Sequence, residues 1–363
     1  MHGIEVRGAP SFYACEPGIL DKREDLLASG NITNCLVVHG EKSWEAVKPY
    51  FPEKTNKLGF TFQRYNGEVT LAEIGRISKL AKAGHFDAIV GIGGGKVLDL
   101  VKAAGHESQL DVVLIPTLAS TCAAWTPLSV IYDENGQFTH YTIFPRSSLY
   151  VLFEPRAVLA SPVRYFIAGI ADTLAKWYEA HCIIRQLPEN PLVVEIAHQT
   201  ARLCKEVLLQ TGEQAVNDLT EQQLTPALIK VLETNIAAGG MVGGFGDSYA
   251  RIAGAHAIHN GLTTQKETHH LLHGEKVAYG ILVQLAMEHQ WHEIKKLIPF
   301  YRSLNLPVSL DDIGFKHSDV EKLMAVAEAA TVPGESIHSM EGDMTAEHVF
   351  QTLLSLDRVV QQS

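Results

Sequence analysis

Gly91-Ile92-Gly93-Gly94-Gly95-Lys96-Val97-Leu98-Asp99 follows a short apolar run, Ala88 to Gly91, and leads into Val97 to Ala104, where apolar residues return at helical spacing. Strand, glycine turn and helix in that order predict a parallel sheet, because parallel neighbours need a crossover and the crossover is usually a helix. The glycines leave backbone N–H groups bare at the helix start, where the helix dipole also favours an anion, so the turn suits a diphosphate. A tight βα connection would use the same residues. The spacing is neither the Gly-x-Gly-x-x-Gly fingerprint nor a loop ending in Gly-Lys-Ser/Thr.

Upstream, Asn34 to Gly40 is a continuous apolar run ending in glycine, as for a strand buried on both faces, and Leu58 to Tyr65 reads as another strand. Between Val69 and Gly84, Leu71, Ile74, Ile77, Leu80 and Ala81 recur at helical spacing, and downstream Val112 to Ile115 supplies the next strand. This alternation predicts a doubly wound, mostly parallel α/β sheet. The loop Pro116 to Pro127 is small and hydroxyl-rich. Ligands bind outside the carboxyl ends of such strands, so it is expected to share a crevice with the glycine turn, although Thr and Ser also serve as turn and cap residues. Leu128 to Tyr132 and Gln137 to Phe144, around Asp133-Glu134-Asn135-Gly136, read as a hairpin with no chemistry of its own.

No strand pattern recurs after about Phe153, which divides the chain into an α/β domain, 1–160, and an all-helical domain, 161–363. Ser161-Pro162 opens a helix running to about Ile184, with Phe166, Ile170, Leu174 and Trp177 on one stripe. Asp172 lies off that stripe among Ala168, Gly169 and Ala175, whose small size lets another element approach closely. It is expected to be buried and paired, since an unpaired buried charge costs roughly several kcal/mol. Further helices are expected at 191–211, 225–238, 248–259, 274–291, 293–304, 318–330 and 345–360, with Gly239 to Gly246 as a close-packed junction.

His256 to His273 holds five histidines in eighteen positions. Imidazole is the commonest ligand for a borderline metal and titrates near neutral pH, so the cluster points to a metal site, a proton relay or both. Asn260-Gly261 is expected to stop the helix carrying His256 and His259, and Gly274 to open the next, which puts His273 at a helix entrance. Two imidazoles and one carboxylate from different helices would leave a coordination position open, as catalytic zinc sites do. Any one of the histidines could instead be a satisfied interhelical residue, and His259, His269 or His270 could orient a ligand, carry protons or lie on the surface.

With 363 residues, 46% hydrophobic and 20% charged, the chain can bury two domain cores. Its net charge of −11 argues against nucleic-acid and anionic-membrane partners and for a small-molecule substrate. No apolar run is long enough for a bilayer, and Met1 to Val6 lacks the order of a signal peptide. Five widely spaced cysteines without a CxxC pair disfavour disulfides and thiolate zinc sites, so the reduced cytoplasm is the expected compartment.

Three motifs together are familiar: Gly93-Gly94-Gly95-Lys96-x-x-Asp99; Gly169-Ile170-Ala171-Asp172-Thr173-Leu174-Ala175-Lys176-Trp177-Tyr178-Glu179; and His256-Ala257-Ile258-His259-Asn260-Gly261-Leu262-Thr263 with His273-Gly274-Glu275-Lys276-Val277-Ala278. They resemble the iron-containing alcohol dehydrogenase superfamily, and within it the glycerol dehydrogenase-like branch, over essentially the whole chain. The resemblance implies the dehydroquinate synthase-like/iron-alcohol dehydrogenase fold, with an N-terminal dinucleotide-binding α/β domain and a C-terminal all-helical, metal-binding domain. It also implies NAD or NADP, a divalent metal (zinc before iron), hydride transfer at a CH–OH group and a homo-oligomer. By position it makes Asp172, His256 and His273 the metal ligands. Gly93, Gly94, Gly95, Lys96, Asp99, Thr117, Ser120, Thr121 and Leu128 fall on the cofactor side, and His259 and His269 are left as candidates for proton handling.

Two departures shape the expected specificity. Glycerol dehydrogenases carry an Asp after the threonine-rich loop, where this chain has Cys122-Ala123-Ala124-Trp125. The loop looks instead like that of hydroxycarboxylate dehydrogenases, which reduce 2-oxo acids to 2-hydroxy acids, with Cys122 and Trp125 toward the substrate. NAD-specific members carry an acidic residue after the first long strand, where this chain has Gly40 with Lys42 nearby, so NADP is expected. The alternatives are a glycerol or other polyol dehydrogenase, a metal-dependent sugar-phosphate cyclase, which would need basic residues near the ligands, and a catalytically silent metal scaffold.

Overall fold

In the computed structural model, which describes residues 4–52 and 58–361, the apolar runs of the first half lie side by side in an all-parallel sheet of order β1-β8-β5-β4-β2-β3. Met1–Gly3, part of the stretch read for a signal peptide, fall outside the described residues. The strands are β1 (Phe12–Cys15), β2 (Asn34–His39), β3 (Gly59–Arg64), β4 (Ala88–Gly93), β5 (Asp111–Pro116) and β8 (Tyr150–Phe153). The connecting helices are α1 (Arg23–Ser29), α2 (Glu41–Val47), α3 (Leu71–Ala83), α4 (Gly95–Ser108) and α5 (Pro155–Val158). All six residues of β4 are buried, and so are Cys35 to Val38 of β2. That two-sided burial explains why both strands read as unbroken apolar runs. The four-residue edge strand β1 was not legible in the sequence. Strands β6 (Leu128–Tyr132) and β7 (Phe138–Ile143) form the expected hairpin as a separate antiparallel pair.

The chain divides into two compact units: Arg7–Pro162 with Asp218–Met241, and Val163–Asn217 with Val242–Ser363 and the N-terminal residues to Val6. We call them the sheet unit and the helical unit. Segment 218–241, which includes α8 (Pro226–Glu233), joins the sheet unit, where the buried Asn235 donates from Nδ2 to the Ala119 carbonyl at 3.0 Å.

The helical unit contains α6 (Val163–Ile184), most of α7 (Leu192–Thr220) and part of α9 (Gly239–Gly246). It also holds α10 (Gly254–Thr263), α11 (His273–Met287), α12 (Trp291–Ser303), α13 (Val320–Ala330) and α14 (Ala346–Gln361). Gly274 to Met287 are all buried, which makes α11 the hub on which α6, α10, α12 and α14 pack. No helix among the described residues is long and apolar enough to cross a membrane.

Two glycine readings are corrected. Asn260-Gly261 does not stop α10, which runs on to Thr263. A Cβ at Gly261 would stand 2.4 Å from the Val326 carbonyl of α13, so the glycine serves close helix packing there. The glycine-rich stretch 239–246 is itself helical, and a Cβ at Gly240 would stand 2.4 Å from Cβ of Trp125.

Candidate functional site

Three helices of the helical unit converge because glycines of α11 let them. A Cβ at Gly274 would lie 1.9 Å from the Ala168 carbonyl of α6, and one at Gly280 would lie 2.3 Å from the Ala255 carbonyl of α10. Asp172 is one turn beyond Ala168, His256 follows Ala255, and His273 is the first residue of α11. The close approaches therefore bring these three side chains to one point.

Asp172 Oδ1 lies 3.4 Å from His256 Nε2 and 3.3 Å from His273 Nε2, and one ligand atom from each of the three residues stands within 4.8 Å of the others. Ligand atoms about 2.1 Å from a tetrahedral zinc centre stand roughly 3.4 Å apart. The donor set and its spacing fit a divalent ion held by three protein ligands.

The electrostatics agree. Burial alone would raise the Asp172 pKa, but Lys176, one turn further along α6, and the two imidazoles hold the carboxyl well below the usual carboxylate range. Burial alone would lower His256, but Glu179 and Asp172 on either side lift it to about 9. The negative surroundings that favour a proton on His256 Nε2 also favour a divalent cation there, so the two compete for one lone pair.

Behind the three ligand candidates lies a further layer of hydrogen bonds. His256 Nδ1 is 2.7 Å from Oε2 of Glu179, a fully buried carboxylate whose Oε1 accepts from the backbone N–H groups of Ala253 (2.7 Å) and His256 (2.9 Å). His273 Nδ1 is 2.9 Å from His259 Nε2, and His259 Nδ1 is 3.0 Å from Asn260 Oδ1. Asn260 Nδ2 donates to both oxygens of Glu335 at 3.2 Å. Burial, reinforced by His273 and His256, pushes His259 well below its ordinary pKa, so it is neutral at pH 7. His269 and His270 are exposed, and their rings meet the carbonyls of Thr263 (3.2 Å) and Glu267 (2.8 Å) rather than the other imidazoles.

Glu179 stands two helical turns after Asp172 on the same face of α6, a spacing from which the sequence could have identified it. Asn260 and Glu335 had no such signal. Two lysines of the helical unit stand near the ligand candidates: Lys176 acts on Asp172 and His256, and the buried Lys276 acts on His259.

In the sheet unit the chain leaves β2 toward β3 on one side and leaves β4 toward β5 on the other, so the strand order reverses between β2 and β4. Crevices at such switch points hold dinucleotides in doubly wound sheets. Gly40 follows β2 and caps α2, where Ser43 Oγ accepts from its N–H (3.0 Å) and donates to the Ile92 carbonyl (2.8 Å). Gly93 ends β4, and Gly94 caps α4 with no side-chain partner, which leaves the helix N-terminus to an anion. Lys96 pairs with Glu68 at 2.6 Å. Glu41 begins α2 and pairs with Arg64 at 2.8 Å in an exposed pair.

The hydroxyl-rich loop abuts this turn. The Thr117 N–H donates to the Gly93 carbonyl at 3.0 Å, and a Cβ at Gly95 would stand 3.5 Å from Thr121 Oγ1. Ser120, Thr121 and Cys122 are half-buried. The loop closes around the buried Lys102, whose ammonium donates to the carbonyls of Ala123 (2.7 Å), Thr126 (3.0 Å) and Leu128 and pairs with Asp99 at 2.9 Å. The other Asp99 oxygen accepts from the Val130 N–H at 3.1 Å, so this carboxylate is engaged inside the fold. Trp125, expected to wall a substrate pocket, is 8% exposed, with its indole N–H donated to the Gly8 carbonyl at 2.7 Å and its ring edge-on to Tyr13. It anchors the loop from beneath.

A family model described as iron-containing alcohol dehydrogenase matches residues 10–153. Hydroxycarboxylate dehydrogenase A of Escherichia coli (strain K12) is 37% identical over 345 residues, 95% of each chain. A glycerol dehydrogenase of Thermotoga maritima is 40% identical over 353 residues, 96% of each chain. Among solved structures, a probable glycerol dehydrogenase from Sinorhizobium meliloti 1021 matches with a TM-score of 0.88 at 32% identity, covering 99% of this chain and 100% of that one.

Proposed function

The chain belongs to the iron-containing alcohol dehydrogenase family, whose members are metal-dependent, NAD(P)-dependent dehydrogenases acting on CH–OH groups, and we propose that it interconverts a small 2-oxo acid and its 2-hydroxy acid with NADP and zinc. The observation that carries this reading is the loop Thr121-Cys122-Ala123-Ala124-Trp125, which offers no carboxylate to the hydroxyl groups of a polyol. The 37% identity to hydroxycarboxylate dehydrogenase A supports it. Charge supports it as well. With Asp172, Glu179, Lys176, Lys276 and a divalent ion, the centre carries net positive charge, which favours an anionic substrate over a neutral polyol.

When bound, the ion would supply Lewis acidity to the substrate's C–O group and the nicotinamide would exchange the hydride. The chain's own residues do the rest. Asp172, His256 and His273 would hold the ion, with His259 kept neutral behind His273. Gly93, Gly94 and Gly95 would receive the diphosphate at the start of α4. For the coenzyme, Gly40 presents no side chain to repel a 2′-phosphate, Lys42 is exposed beside it, and Glu41 is held by Arg64.

Zinc-loaded protein assayed with a panel of 2-oxo acids, glycerol and dihydroxyacetone, each with NADPH and NADH, tests the proposal. A 2-oxo acid turned over with NADPH at the highest kcat/KM supports it. Preference for dihydroxyacetone and glycerol would favour the polyol reading, which the 40% identity to a glycerol dehydrogenase keeps as the second choice. A protein that binds no nicotinamide would refute both.

A further inference from the structure

We propose that Glu179 and Glu335, two carboxylates that hold no ion themselves, impose the tautomers with which His256 and His273 face the metal centre. The inference rests on the reading of Asp172, His256 and His273 as ligands and concerns what prepares them.

An ionised carboxylate only accepts hydrogen bonds, so the group facing it must be a donor. Glu179 Oε2 lies 2.7 Å from His256 Nδ1, so that nitrogen carries the hydrogen, and Nε2, 3.4 Å from Asp172 Oδ1, is the nitrogen left to face the metal centre. Glu179 cannot swing away without orphaning the N–H groups of Ala253 and His256 in the first turn of α10, which its other oxygen accepts at 2.7 and 2.9 Å.

The second ligand is set from further off. Glu335 accepts from Asn260 Nδ2, which turns the Asn260 carbonyl oxygen to His259 Nδ1. That nitrogen must then carry the hydrogen, and His259 Nε2 is left as an acceptor. His273 Nδ1 therefore donates to it at 2.9 Å, and Nε2, 3.3 Å from Asp172 Oδ1, is the nitrogen left to face the metal centre. Each chain of bonds runs in one direction only, away from the centre and toward an outer carboxylate. Both imidazoles thus turn Nε2 to the Asp172 carboxylate, where a cation takes the place of any proton held between them.

Two measurements test this, and neither reads turnover. In zinc-loaded wild-type protein carrying 15N-histidine, NMR is expected to show His256 and His273 both protonated on Nδ1 and both zinc-bound through Nε2. Either residue bound through Nδ1 overturns the proposal without any variant having to fold. In competition with a chromophoric chelator, Glu179→Gln is expected to lower zinc affinity by about 10–100-fold, because it turns an amide N–H toward His256 Nδ1 while keeping an oxygen for the backbone. Glu335→Ala is expected to lower it toward the small end of that range. The exchange Asn260→Asp with Glu335→Gln, which keeps a carboxylate oxygen facing His259 and a donor behind it, should recover most of the loss. Parental affinity in both single variants, or no recovery on exchange, overturns the proposal. Asp172→Asn separates the two failures. If it also binds zinc like the parent, the ligand reading is wrong, and if it alone loses zinc, only the role of the outer carboxylates is wrong.

Discussion

Replacing Lys102 with methionine keeps most of the buried side-chain volume and removes one charge, so its cost can be worked from the surroundings. The side chains of Lys102 and Asp99 are 3% and 11% exposed. Breaking one partner out of a buried ion pair costs about 3–5 kcal/mol. The deficit should depend on pH. Burial raises the Asp99 pKa by more than Lys102 and the Val130 N–H lower it, and loss of Lys102 raises it further. A raised folded-state pKa means that the folded protein keeps a proton the unfolded chain has released. The stability it contributes is present at low pH and lost as pH rises toward the folded value, by up to about 1.4 kcal/mol per pH unit. Lys102→Met should therefore be nearer the parent at pH 5 than at pH 8, and Asp99→Asn with Lys102→Met should recover part of the deficit by removing the stranded charge. Urea denaturation followed by tryptophan fluorescence at both pH values measures this. A loss below about 1 kcal/mol at pH 8, or a double variant no better than the single one, would refute the view that the loop from Ala123 to Leu128 is gathered around a buried ammonium.

Gly274→Ala places a Cβ where the Ala168 carbonyl already stands at 1.9 Å, so it should destabilise the protein by about 1–3 kcal/mol and strip it of zinc by pushing His273 from Asp172; retention of both thermal midpoint and metal content would count against that convergence. Because a proton must leave His256, whose pKa stands at about 9, apparent zinc affinity should fall by up to roughly tenfold per unit as pH drops from 8 to 6, and a flat chelator-competition profile would contradict this. Gly40→Asp should shift the NADPH-to-NADH ratio of kcat/KM at least about tenfold toward NADH, and an unchanged ratio would remove Gly40 from coenzyme selection.

The sheet was legible in β2 and β4, which are buried on both faces and so appear as unbroken apolar runs, but not in the equally buried β8, whose four residues make too short a run. Strand β1 was not, since four residues at an edge carry too little pattern. Asp172 could be singled out because its small neighbours announced a close approach, while the identity of that neighbour, Gly274, lies 102 positions away and depends on the tertiary fold. Glycines were the main source of misreading. Gly261 looked like a helix stop and Gly240 like a junction, yet both sit inside helices to admit another element. Trp125 misled for a related reason, as its place in the loop suggested a pocket wall and only the Gly8 carbonyl and Gly240 show that it points inward. Lys102 carried no signal at all, because three of its four partners are backbone carbonyls.

Anomalous diffraction at the zinc edge, from crystals of the zinc-loaded protein, tests the metal centre most directly. The expected result is a single strong peak about 2.0–2.2 Å from an Asp172 carboxylate oxygen and from Nε2 of both His256 and His273. A zinc ion held by other residues, or no peak among these three, would contradict it.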